Sequence, residues 1–101
     1  MYNVYNEVIQ FIKCFQNDNT IKTFTEGCCY WFAHILKYRF WGTIMYEPVL
    51  NHFATLIDGH LFDITGELND KNDWQEWDEF KKIDELETKR IYKYCIYKLC
   101  S

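Results

Sequence analysis

At 101 residues the chain is the length of one small domain, and its composition, 49% apolar with 20% aromatic, 26% charged, four Gly and one Pro, excludes a disordered, collagenous or low-complexity protein. The formal net charge of −4, from fifteen acidic against eleven basic residues, offers no overall positive field to a phosphate backbone, so direct nucleic-acid binding is not expected. No run of eighteen apolar residues occurs, and Met1-Tyr2-Asn3-Val4-Tyr5-Asn6-Glu7 lacks the basic and apolar regions of a signal peptide, which together predict a cytoplasmic protein with no membrane contact.

Between Asn3 and Gln16 the apolar residues Val4, Val8, Ile9, Phe11, Ile12 and Phe15 recur every three or four positions, the period of a helix with one buried face. Gln16-Asn17-Asp18-Asn19-Thr20 is rich in turn formers and ends that helix, leaving Ile21–Phe24 as a short extended or turn-like segment. A second helix is predicted from about Cys28 to Phe40, with Cys29, Phe32, Ala33, Leu36 and Phe40 inward and Tyr30, His34 and Lys37 on the other side. Gly42 closes it, and Thr43–Tyr46 reads as a strand halted by Glu47-Pro48.

Two further strands, Leu50–Ile57 and His60–Thr65, flank Asp58-Gly59, a dipeptide that favours a two-residue hairpin turn because both positions tolerate positive φ. From Asn69 the chain turns polar. Trp74, Trp77, Phe80, Lys81 and Asp84 then show a helical spacing behind an Asn72 or Asp73 cap, with the two tryptophans serving as core or as a lid over the hairpin. Lys89–Leu99 fits a helix or a strand, and no internal repeat is present.

Chemistry concentrates at Gly27-Cys28-Cys29-Tyr30-Trp31-Phe32-Ala33. Cys29 falls in the first turn of a helix, where unsatisfied N–H groups and the positive end of the dipole stabilise a thiolate or an oxyanion. The hairpin supplies a base. With Asp58 and Gly59 as turn residues, Ile57 pairs with His60, Ala54 with Asp63 and His52 with Thr65, so His52, Ala54, Asp63 and Thr65 share one face. His52 and Asp63 are then diagonal neighbours, close enough for the carboxylate to orient the imidazole. Cys29, His52 and Asp63 thus compose nucleophile, base and orienting acid. His34, five positions after Cys29 and well round the helix, reads as exposed, and His60 lies on the face away from His52.

Cys14, Cys28, Cys29, Cys95 and Cys100 are five in number and form neither a CxxC pair nor a spaced zinc array, which predicts reduced thiols, no metal site and no cofactor.

The Gly27–Ala33 segment resembles the nucleophile helix of papain-like thiol enzymes. Asn51-His52-Phe53, the Asp58-Gly59 turn and Phe62-Asp63-Ile64-Thr65-Gly66 are similar to the His strand, turn and Asp strand of the papain-like and transglutaminase-like superfamily. The resemblance covers the 40 residues Gly27–Gly66 and implies a papain-like core with Cys29, His52 and Asp63 as the catalytic residues. The position six before the nucleophile, a glutamine in that family, is Thr23, so the oxyanion donor would be Gln16, a backbone N–H or none.

The expectation is one α+β domain over residues 1–101, a three-stranded antiparallel sheet packed by two to four helices. The second helix would cross the sheet with its N-terminus at the His52 and Asp63 face. Its function would be a small cysteine hydrolase or acyl-transfer enzyme acting on an amide or thioester of a protein or peptide. Glu67–Glu87 supports an alternative: nine acids against three lysines give a local charge of −6, a surface suited to a non-catalytic protein that inhibits a macromolecular partner, such as an anti-defence protein of a mobile element.

Overall fold

Residues 3–25, 27–69 and 72–97 are described by the computed structural model. Helix α1 (Val4–Phe15) starts behind Asn3, whose Oδ1 accepts the Asn6 N–H at 3.3 Å, and it buries Val8 and Ile12 as its periodicity requires. The segment that follows is helical, contrary to the extended reading. Asn17 and Thr20 exchange side-chain-to-backbone hydrogen bonds of 2.9 Å in each direction, a reciprocal cap that turns the cluster of turn formers into the start of α2 (Asp18–Thr25). Phe24 then packs on Phe32 with ring centroids 5.2 Å apart.

Helix α3 (Cys29–Phe40) has Cys28 as its N-cap and ends at Trp41, which takes the left-handed conformation at φ 61°. Gly42 is needed for a different reason: a Cβ there would lie 2.5 Å from Thr55 Cγ2 and 2.9 Å from the Leu56 carbonyl oxygen. The strands are β1 (Thr43–Glu47), β2 (His52–Ile57), β3 (His60–Asp63), β4 (Gly66–Leu68) and β5 (Gln75–Glu76), ordered β4-β3-β2-β1-β5 with every neighbour antiparallel. Asp58 and Gly59 take φ of 50° and 81°, and Ile57 opposes His60, Leu56 opposes Leu61 and Thr55 opposes Phe62, the register a two-residue turn dictates.

The sheet therefore has five strands where three were expected. The two additional strands, of three and two residues, sit at the edges and are too short to show any alternation in sequence. Because Gln75 and Glu76 pair with β1, helix α4 (Trp77–Ile83) begins after Glu76 and not behind Asn72 or Asp73. Asp84 Oδ1 accepts the Glu87 N–H at 3.0 Å and opens α5 (Glu85–Arg90), which continues as a π-helical segment, Ile91–Tyr97. The ambiguous stretch Lys89–Leu99 is thus helical as far as Tyr97, and its last two residues lie outside the described ones.

Two clusters fill the interior. Val8, Ile12, Phe32, Leu36, Ile57, Phe62 and Ile64 join α1 and α3 to the sheet, while Tyr30, Tyr46, Phe53, Trp77, Phe80, Ile91 and Ile96 join α3 to α4 and the C-terminal segment. Each fully buried Phe or Leu contributes about 1.5–3 kcal/mol. Tyr30, expected on the outer side of its helix, is buried because α4 and the C-terminal segment cover that flank, bringing Trp77 and Tyr92 to ring distances of 6.4 and 6.2 Å.

Candidate functional site

Helix α3 lies along β2 in step with it. Tyr30 meets Phe53 at 5.0 Å between rings, Thr55 Oγ1 donates to the Ala33 carbonyl at 2.8 Å, and Leu36 clusters with Ile57. The start of the helix consequently stands at the start of the strand, Cys29 beside His52. The helix packs on the Phe53, Thr55 and Ile57 face, so it does not cross the His52 and Asp63 face as expected; contact is made at the first residue of β2, where the strand begins.

His52 Nε2 is 2.9 Å from Asp63 Oδ2, the diagonal contact anticipated from the hairpin register. The Cys29 thiol lies close enough to the ring to raise its pKa. Burial disfavours the charged ring and is the largest single influence, but the hydrogen bond and charge of Asp63, together with the nearby Cys29, outweigh it, raising the His52 pKa to about 9. Asp63 is buried too, which opposes its ionisation. Hydrogen bonds from His52 and from the Thr65 hydroxyl and N–H more than compensate, holding its pKa below the usual carboxylate value. With Nε2 engaged by Asp63, Nδ1 is the nitrogen left to exchange a proton with the thiol.

Cys29 is a free, buried cysteine at the first position of α3. The Cys28 carbonyl accepts from both the Trp31 and Phe32 N–H groups, at 3.1 and 3.3 Å, and the Cys28 N–H donates to the Thr23 carbonyl at 3.1 Å. Cys28 itself is disulfide-bonded, its partner outside the described side chains, which corrects the expectation of reduced thiols throughout. An odd cysteine count without a motif carries no signal of which pair will meet in space.

Thr65, Gln16 and Trp74 complete the surroundings, Thr65 in a locking role that the sequence reading did not assign to it. Thr65 donates its N–H at 2.8 Å and its hydroxyl at 2.5 Å to Asp63 Oδ1, locking the carboxylate; the Asp-x-Thr spacing is the local signal that could have revealed it. Gln16, one of the candidate oxyanion donors, has its Nε2 donating to the Ile64 carbonyl at 2.8 Å, which pins the turn that follows Asp63. Trp74 stands edge-on to the His52 ring at 5.9 Å, whereas Trp77 is core. His34 stacks on Tyr38 at 5.8 Å, and His60 pairs with Glu67, so neither joins the site. Among the described residues no three His, Cys, Asp or Glu side chains gather as a metal site would require.

A thiol beside an imidazole that is oriented by a locked carboxylate defines the class of arrangement able to carry nucleophilic acyl chemistry. Residues 8–96 match the family model described as Phage YunG-like protein, 89 of the 101 residues, and the chain belongs to that family. No curated protein and no solved structure matches it significantly. This assignment overturns the papain-like and transglutaminase-like resemblance. That likeness rested on motifs of a few residues within a 40-residue stretch, and a cysteine at a helix start ahead of a His/Asp hairpin is too short a pattern to define a family. Among the described residues no helix is long and apolar enough to cross a membrane.

Proposed function

We propose that this phage-family protein is a small thiol enzyme that hydrolyses or transfers the acyl group of an amide or thioester in a protein or peptide, with Cys29 as nucleophile, His52 as base and Asp63 as orienting acid. The observation that carries this reading is the position of His52, which bonds Asp63 through Nε2 and stands near enough to Cys29 for the thiol to raise its pKa. In the reaction Cys29 Sγ attacks the carbonyl carbon with the proton it has given up already on His52, whose pKa of about 9 keeps the ring protonated at neutral pH. The same proton then goes to the departing amine or thiol, leaving a thioester on Cys29. Water or an acceptor amine, deprotonated by His52, releases the acyl group and restores the thiol. Asp63 keeps the ring oriented and supports its positive charge throughout.

Iodoacetamide labelling at pH 6, read residue by residue by mass spectrometry, tests this directly. Cys29 should react well ahead of the exposed Cys14, and His52→Ala should slow it at least tenfold. Faster labelling of Cys14, or indifference to His52, would sink the assignment.

A second reading draws support from the family more than from the site: a phage protein that binds and inhibits a macromolecular partner without catalysis. Ile83 and Leu86, 80% and 82% exposed, stand among the acids Glu79, Asp84, Glu85 and Glu87, an apolar contact ringed by charge. Under this reading Cys29→Ala leaves function intact while reversing the charge of Glu79, Asp84 and Glu85 slows association and weakens its salt dependence.

A further inference from the structure

Glu47 is a carboxylate that the proposed chemistry does not use, yet it is only 2% exposed. It ends β1, and in the ladder it stands directly opposite His52, so the two share a face of the sheet. Buried carboxylates are retained at a cost unless their oxygens are engaged. Here Oε2 accepts the Leu50 N–H at 2.5 Å, across the Glu47–Asn51 turn that leads into His52. The neighbouring Tyr46 makes a parallel bond, its hydroxyl donating to Asn51 Oδ1 at 2.7 Å, while Asn51 takes a left-handed φ of 52°. The last two residues of β1 therefore both grip the last two residues of the turn, immediately before the histidine. Pro48 has no N–H to offer, and Val49, 89% exposed, has no core contact to anchor it, so the turn depends on these side chains for its shape.

We infer that Glu47 is a positioning residue: by accepting the Leu50 N–H it fixes the turn that delivers the His52 ring to Asp63 and Cys29. The inference rests on the thiol-enzyme reading for its functional meaning, but its geometry is tested without catalysis. Two variants separate position from charge. Glu47→Gln keeps a carbonyl oxygen at the same reach and removes the charge, whereas Glu47→Asp keeps the charge and withdraws the oxygen by one methylene.

The readout is the pH titration of the His52 ring by NMR, with Cys29 labelling by iodoacetamide alongside. Positioning predicts that Glu47→Gln leaves the His52 midpoint near 9 and the labelling rate within about threefold, while Glu47→Asp drops the midpoint toward the ordinary value near 6.5 and slows labelling at least tenfold. The reverse pattern would make Glu47 an electrostatic partner and overturn the inference, as would equal effects or none in the two variants. Failure of the enzyme reading is a separate result, since it is seen in His52→Ala, where labelling would be unchanged whatever Glu47 does.

Discussion

The sheet carries two histidine–carboxylate pairs, His52 with Asp63 between β2 and β3 and His60 with Glu67 between β3 and β4, and their difference shows what makes a pair chemically useful. His60 Nδ1 lies 2.7 Å from Glu67 Oε2, shorter than the 2.9 Å of His52 to Asp63. Yet the His60 side chain is 44% exposed against 19% for His52, and Glu67 shares its other oxygen with the Tyr5 hydroxyl at 2.9 Å. Water competes for every bond in the outer pair, so it ties α1 to the sheet edge and does little else. The inner pair is shielded, backed by Thr65 and open to a thiol. Bond length does not rank them; burial and the third partner do.

The comparison breaks most visibly at the two carboxylates. Asp63→Asn should slow Cys29 labelling and any turnover by about 10²-fold or more with the fold preserved by circular dichroism, because the ring loses its orienter and its compensating charge. Glu67→Gln should change the same rates less than twofold. Equal sensitivity of the two sites would show that burial does not separate them.

Removing the Cys28 disulfide tests whether the inner pair depends on the start of α3, which has no side-chain cap. Cys28→Ser should cost about 2–4 kcal/mol in urea unfolding, within the range for losing a native disulfide. It should lower the His52 midpoint by loosening Cys29, while the His60 resonances stay in place. A stability unchanged in Cys28→Ser and insensitive to dithiothreitol in the native protein would refute this.

A smaller effect, of about 2–3 kcal/mol, is expected from pH. His52 has a folded pKa raised to about 9 from 6.5, so its contribution is complete below about 6.5 and is lost as pH climbs through 9. Asp63 is shifted the other way: its contribution is complete above 3.8 and is lost as pH falls below that. Unfolding midpoints should therefore plateau between these values and decline on the alkaline side, and His52→Gln should flatten that decline. Tyr5→Phe, the mildest change, should shift the midpoint barely beyond measurement error.

Much of the candidate site was legible in the chain. Asp58-Gly59 prescribes a two-residue turn, and a turn of that length dictates every pairing behind it, which places His52 diagonal to Asp63 before any coordinate is known. The helical period of Val8 and Ile12, or of Phe32, Ala33 and Leu36, identifies buried faces correctly. Asn17 and Thr20 misled because the same side chains that terminate one helix can cap the next. Tyr30 misled because periodicity marks a preferred face and not how many neighbours a helix has.

The sequence by itself determined what is local: the α+β class, the hairpin register, and a cysteine in the first turn of a helix, each set by backbone geometry and side chains within a few positions of one another. Only the tertiary structure decided which face of the sheet α3 would cover, that it would run in step with β2 and bring Cys29 to His52, that Cys28 would be oxidised, and that β4 and β5 would extend the sheet. Those outcomes depend on contacts between residues tens of positions apart, where closing the chain is repaid by burial of Phe53, Trp77 and Tyr30 together, and no spacing along the chain records such a contact.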